Sequence, residues 1–481
     1  MSIVKLLDID GGKSRIDSEF YKKVYLILEK QIEAIGGVKL KDIQANLDCS
    51  AFYPSVTGYY NFKKVGVPFL RVNEIQKGLV KITDSTAFLP QFVLDENPTT
   101  IAIAFPGDII VAKGGNTLAK VGLITAEYNK YAVSRDVIII RTNKLQDYNK
   151  YLLWSFYHST YGQQSLLRSA SQTGQPHLTL DPIYDLEVPN YNDEFAKLIE
   201  MLYVESVDVK KQADRLYKMA EKIITDELKI TNEYLSEPNF TIKKISDTFA
   251  ITGRLDSEHY ETKYDVLEKE LKNLKYTYIN LEFDTFKNSC GNYDDKGTVG
   301  VIKTKQITKR YISQSIESFL TESVVIKNKL TTLEDEDVIF ASMGVGSLGK
   351  VNVYYYEGKY VTDSTLRIFR KKPNGRILPE YLAMFLQATT GQELIYKYIV
   401  GSTGIINIYD EDIYKIPVPI LRKKIQNEIR DLVKKSYNLE KLSAELLEIS
   451  KRSIEIAIEK DENTAEDWLK QQEKKIIREK K

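Results

Sequence analysis

The segments "SRIDSEFYKKVYLILEK" (residues 14–30) and "GRLDSEHYETKYDVLEK" (residues 253–269) are two versions of one stretch, with Arg15 and Arg254 set 239 positions apart. Four further blocks follow in the same order in both halves. "VPFLRVNEI" (67–75) pairs with "VGVIKTKQI" (299–307), and "GDIIVAKGG" (107–115) with "EDVIFASMG" (336–344). "YLLWSFYHSTYGQQ" (151–164) pairs with "YLAMFLQATTGQE" (381–393), and "QTGQPHLTLDPIYDLEVP" (172–189) with "STGIINIYDEDIYKIPVP" (402–419). Ordered blocks at a nearly fixed offset identify an internal duplication, which decides the architecture before any motif does.

Each copy reads alike. A short amphipathic helix follows R-[IL]-D-S-E, and β-branched runs such as "DIIVAK" and "DVIIIRT" predict strands bounded by Gly and Asn. A helix then covers "YLLWSFYHS" or "YLAMFLQAT", and a short strand ends in Val-Pro. A long helix closes the copy. In the first half Phe195, Ile199, Leu202, Ser206, Val209, Ala213, Leu216, Ala220 and Ile223 alternate steps of four and three. Ile425, Ile429, Leu432, Ser436, Leu439, Ser443, Leu446, Ser450 and Ser453 repeat the pattern 230 positions on. A mean spacing of 3.5 marks a coiled-coil seam, and the small residues at matching places allow close approach of two axes. About 40 residues at ~1.5 Å each make a rod of about 60 Å.

The expected class is therefore α+β: two tandem pseudo-symmetric repeats, each a β-rich domain followed by a long helix, with the two helices packed as an antiparallel coiled coil. The expected boundaries are a first β-rich domain over 1–190, a first long helix over 191–237, a second domain over 238–420, and a second long helix with a charged tail over 421–481.

The 481 residues are 43% hydrophobic and 28% charged, with a net charge of +1. A chain this long forms more than one core. It has no run of about 18 apolar residues, so no membrane span is expected. "MSIVKLLDIDGG" lacks the features of a secretory signal, and two cysteines, Cys49 and Cys290, suit a reducing compartment, so a cytoplasmic location is expected. His158, His177 and His259 show no ligand spacing, and neither a metal nor a cofactor is expected.

"GVGSLGKV" (344–351) comes near a phosphate-binding loop: Gly344, Gly349 and Lys350 fit, but Val351 stands where the Mg²⁺-holding hydroxyl belongs. The first copy has "GNTLAKV" (115–121), with Val121 again in that place. A phosphate loop must open a helix, whereas here apolar runs flank the glycines on both sides, so a turn between strands is expected. G-x-S-x-G and H-E-x-x-H are absent, as is the Asn/Asp-Pro-Pro-aromatic tetrapeptide of amino-methyltransferases, so the chain itself is expected to be no enzyme. Asp108 and Asp337, equivalent in the two copies, read as caps of the turn.

The chain resembles specificity subunits of type I restriction-modification systems. The resemblance rests on the duplicated blocks: "GVPFLRVNEI" (66–75) and its weaker counterpart (298–307), the "GDII" strand (107–110, with Glu336 replacing the first Gly in the second copy), Thr173-Gly174 and Thr403-Gly404, the strand ends at 186–189 and 416–419, and a long helix after each domain. It implies two target recognition domains that read a split, asymmetric site on double-stranded DNA, and paired helices that space them. It also implies two DNA methyltransferase (modification) subunits as partners, with a restriction or translocase subunit able to join. The alternative is a two-headed protein-binding scaffold without DNA binding.

Reading bases takes Arg or Lys for guanine and Asn or Gln for adenine, on loops that enter a groove, with other basic residues on phosphates. In the first domain the candidates are Lys63, Lys64, Arg71, Asn73, Lys113, Asn116, Lys120, Arg168, Gln172 and Gln175, with His177 beside them. In the second they are Lys303, Lys305, Gln306, Lys309, Arg310, Ser342 and Lys350. Tyr53, Tyr59 and Tyr60 are candidates for stacking on bases, against the alternative of a half-wet sheet surface.

Overall fold

The structure is a computed structural model that describes residues 18–479 except 84, 147, 172–175, 231–240, 292, 314, 356–357 and 402–405. It is a mixed α+β fold in two units, Met1–Asp208 with Leu442–Lys481 and Val209–Lys441, so the division passes through both long helices.

In the first unit a six-stranded sheet has the order Asn46–Cys49, Val137–Arg141, Ile109–Ala112, Val121–Leu123, Gly78–Val80, Ile75–Gln76. Ile109–Ala112 is buried at all four positions, which is why it reads as an unbroken apolar run rather than an alternation. A four-stranded sheet runs Phe88–Leu89, Val67–Leu70, Tyr131–Val133, Ile103–Ala104, with its central pair parallel. Val38–Lys39 pairs antiparallel with Glu187–Val188, tying the start of the domain to its end.

In the second unit a four-stranded sheet runs Phe283–Phe286, Leu366–Lys371, Val338–Ala341, Val351–Val353. A three-stranded sheet runs Phe319–Leu320, Val299–Ile302, Tyr360–Thr362, again with one parallel pair. Tyr276–Tyr278 pairs with Pro417–Pro419.

The amphipathic segments after the R-[IL]-D-S-E motifs form helices Lys23–Ala34 and Thr262–Asn273. The long helices span Asp193–Leu228 and Lys423–Glu459, and they pack together. In the first unit Ser206 Oγ donates to Ser443 O at 3.0 Å; in the second Ser436 Oγ donates to Ala213 O at 2.8 Å. Ser206, Ala213, Ser436 and Ser443 are all buried, so the small residues of the stripe lie where the backbones meet. Each pairing serine hydroxyl finds a carbonyl, as a buried donor must. The charged C-terminal stretch is a further helix, Glu462–Glu479. Among the described residues no helix is long and apolar enough to cross a membrane.

Candidate nucleic-acid interface

The glycine motif lies between strands in both units. Val338–Ala341 and Val351–Val353 are antiparallel neighbours, with Phe340 opposite Val351, and Gly344, Gly346 and Gly349 take the positive φ values 105°, 70° and 86° that bring the chain round. The first unit makes the same connection between Ile109–Ala112 and Val121–Leu123, through a 3-10 turn at Gly115–Thr117. The segment is a β-connection, and no helix begins at Lys350 or Lys120 to supply a phosphate site.

The carboxylates at the base of this connection act as the caps expected of them. Asp108 Oδ2 accepts from Phe105 N at 2.9 Å and from Arg141 at 3.1 Å. Asp337 Oδ2 accepts from Glu334 N at 2.8 Å and from Arg370 at 2.7 Å. Both are buried, and each is held by a backbone donor and a guanidinium.

A second element is pinned to each glycine turn. In the first unit Leu178 N donates to Lys113 O at 2.8 Å and Ser171 pairs with His177, which closes the base of the segment carrying Thr173-Gly174. In the second unit Gly344 N donates to Ile406 O at 3.0 Å, and Val400 and Asn407 exchange bonds of 2.8 and 2.9 Å. Gln172 and Gln175, with both Thr-Gly pairs, lie outside the described residues.

One determinant of this geometry escaped the sequence reading. Gln163 donates from one Nε2 to Ala119 O at 2.9 Å and to Tyr157 O at 2.6 Å. Gln392 does the same to Gly349 O at 3.0 Å and Leu386 O at 2.7 Å. Each glutamine thus fastens the glycine connection to the corner between two helices. The preceding glycine makes the corner possible: a Cβ on Gly162 would stand 2.5 Å from Tyr157 Cα, and one on Gly391 2.7 Å from Leu386 Cα, besides striking the carbonyls of Phe156 and Phe385. The available signal was the Gly-Gln pair shared by the "YGQQ" and "TGQE" blocks.

Against this frame the candidate readers divide into two groups. Lys63, Lys64, Asn73, Asn116 and Lys120 are exposed on loops or turns of the first unit, and Lys113 is partly exposed beside the glycine turn. Lys113 N donates to Asp136 O at 2.8 Å, which places exposed Arg135 nearby in the chain. In the second unit Lys350 is exposed on the glycine connection. Lys305 is exposed and paired with Glu317, Lys309 meets Glu221 at 2.8 Å, and Lys303 lies 3.9 Å from the centre of the Tyr293 ring.

The remaining candidates have partners within the protein. Arg168 is buried, stacked on Phe20 and bonded to Phe20 O and Glu29 at 3.1 Å each. Arg71 caps a short 3-10 turn and donates to Glu74 at 3.3 Å and Ser85 O at 3.0 Å. Gln306, 3% exposed, accepts from Lys303 N at 3.0 Å and donates to Ser315 O at 2.8 Å. Ser342, fully buried, donates to Thr365 O and accepts from Arg367, both at 3.0 Å. Arg310 pairs with Asp214 and lies 3.4 Å from Glu440, so it ties its loop to the long helices. A donor already spent on an internal acceptor cannot read a base without leaving that acceptor unpaired. Tyr53 and Tyr60 pack on Phe69, at 6.4 and 5.7 Å between centroids, as members of a sheet surface.

Residues 265–450 match the family described as the type I restriction modification DNA specificity domain. No curated protein matches the chain. Among solved structures the chain is similar to the S subunit of a type I restriction-modification system from M. genitalium, at 12% identity and a TM-score of 0.39 over 87% of this chain and 94% of that one. It is similar to the HsdS subunit from Thermoanaerobacter tengcongensis at 14% identity and a TM-score of 0.28, over 88% of this chain and 96% of that one. A shorter similarity is to the type IIG restriction endonuclease BpuSI, at 13% identity and a TM-score of 0.28 over 38% of this chain and 28% of that one.

Proposed function

We propose that this chain, which carries a type I restriction modification DNA specificity domain over residues 265–450, is the non-catalytic subunit that reads a two-part, asymmetric target on duplex DNA for a modification complex. The observation that carries the reading is this family match. Supporting its extension to the first unit, the strand order Asn46–Cys49, Val137–Arg141, Ile109–Ala112, Val121–Leu123 corresponds to Phe283–Phe286, Leu366–Lys371, Val338–Ala341, Val351–Val353. Two equivalent heads with different polar residues on the same scaffold suit two different half-sequences, at a spacing set by the helices.

An antiparallel coiled coil is supported by the residue pairing. Within the second unit Lys210 meets Glu440 and Ala213 meets Ser436, so one helix number rises as its partner's falls. The proposed domain boundaries remain 1–190, 191–237, 238–420 and 421–481. The paired helices would serve as the dock for two methyltransferase subunits, with a restriction or translocase subunit able to join, in the cytoplasm. The proposed DNA-facing set is Lys63, Lys64, Asn73, Lys113, Asn116 and Lys120 in one head, and Lys303, Lys305, Lys309 and Lys350 in the other, with Gln172 and Gln175 retained from the sequence.

Lys120 and Lys350 stand at equivalent ends of the two glycine connections, both exposed. In complex with its methyltransferase, the chain will bind duplex DNA with an affinity that falls linearly in log–log terms with salt. Lys120→Ala and Lys350→Ala will each shallow that slope by about 0.9, the release expected for one phosphate contact. Affinity indifferent to salt, or no binding by the complex, would favour the two-headed protein scaffold instead.

A further inference from the structure

In the first unit, residues 49–73 contain no Asp or Glu, yet hold Lys63, Lys64 and a series of aromatic rings. The rings divide sharply by burial. Phe69 is buried with Tyr53 and Tyr60 against it, whereas Phe62 is 55% exposed at the tip of the next loop and is followed directly by Lys63, Lys64 and the 67% exposed Val65. The Phe62 ring is open to solvent and adjoined by two lysines in sequence.

The loop that presents Phe62 is held by the protein alone. Asn61 exchanges backbone bonds of 3.1 and 2.8 Å with Phe88, and its side chain spans the loop, with Nδ2 donating to Val65 O at 2.8 Å and Oδ1 accepting from Val65 N at 3.4 Å. Lys64 takes a φ of 59° and Gly66 one of 104°; a Cβ on Gly66 would run into the backbone of Leu89. The tip is thus fixed before any partner arrives, so little ordering cost remains to be met on binding.

We infer that Phe62 is a wedge that enters between adjacent base pairs of the first half-site, with Lys63 and Lys64 on the flanking phosphates. Apolar side chains that unstack a base step, set among basic residues, are an established way to bend DNA onto a protein. The inference rests on the DNA-reading function proposed above. Phe52, though 79% exposed, has no neighbouring lysine in the sequence and is not assigned this role.

The test uses the full chain with its methyltransferase and a duplex carrying the motif that the complex methylates, with 2-aminopurine replacing each adenine in turn. Wild-type protein should raise the fluorescence at one step of the first half-site. Phe62→Ala should abolish that rise and weaken binding about tenfold, the range for loss of one stacked base, with the melting temperature unchanged. Phe62→Leu should retain part of the rise. Lys63→Ala with Lys64→Ala should shallow the salt slope by about 1.8 while the rise persists. Salt-dependent target binding with no fluorescence change, or with a change that survives Phe62→Ala, overturns the wedge and leaves the DNA reading standing. Loss of the methyltransferase on Phe62→Ala overturns it in favour of a protein contact. If the wild-type complex binds no DNA at any salt, the function itself has failed and the wedge with it.

Discussion

Replacing Glu440 by Ala lowers the midpoint of thermal unfolding by roughly 10 °C, the shift expected for a loss of about 3 kcal/mol from a unit of this size. Glu440 is buried among Lys210, Arg310 and Asp214, a set with two charges of each sign. Withdrawal from water pushes the Lys210 ammonium below its ordinary pKa, and the Glu440 carboxylate opposes that shift. Removing the carboxylate leaves a net positive charge between the helices, which costs far more than an exposed pair is worth. The predicted loss is at the lower end for buried pairs because Lys210 and Arg310 keep 27% of their side-chain surface in water. Exchanging Lys210 and Glu440 together for Leu returns most of the stability, since matched apolar residues replace a buried pair at little net cost. Melting curves of the single and double variants measure both effects. A Glu440→Ala midpoint within about 2 °C of wild type would show that the pair does not hold the helices.

The place of this pair bears on how the chain assembles. Lys210 and Glu440 are 230 positions apart, the same offset that relates the two helix stripes, so each occupies the other's equivalent position. Two copies of the first helix paired in this register would set lysine against lysine, and two of the second glutamate against glutamate. Opposite charges at this point favour pairing of unlike helices, as charged positions do in coiled coils.

Gly391→Ala destabilises the second unit by about 3 kcal/mol, the upper range for overpacking. In an ordinary helix interior the same change stabilises by up to ~1 kcal/mol. Gly391 lies in the helix Thr389–Lys397, so propensity alone predicts a gain. The added methyl would strike Phe385 O and stand 2.7 Å from Leu386 Cα, and backbone atoms cannot swing aside as a side chain can. The helix corner must open, and with it the bonds from Gln392 to Gly349 O and Leu386 O. Gly162→Ala should act likewise on the first unit. Thermal melting decides the sign: a midpoint at or above wild type would mean that the corner is not closely packed.

The mixed α+β character was legible because the residues of its strands, turns and long helices are chosen locally. The apolar strand "IIVA", the Gly-Asn-Thr or Gly-Val-Gly turn and the serine and alanine positions of the long helices each carry a local reason for their identity. The partners of polar loop residues were not legible, since such a residue looks the same whether it meets a ligand or a distant part of the chain. Arg168 finds Glu29 at a separation of 139 residues, and Arg310 finds Asp214 at 96; neither acceptor is suggested by the sequence around the arginine. The exposure of Phe62 could not be read from the sequence, since Tyr53 and Tyr60 nearby pack on Phe69 while Phe62 is 55% exposed.

The most direct measurement is the methylated-base map of DNA from cells that express this chain together with a methyltransferase subunit of a type I system. The account predicts a motif of two unlike half-sequences at a fixed spacing, of which one half changes when the exposed loop residues of one unit are exchanged. A palindromic motif, or methylation that persists unaltered without this chain, would contradict it.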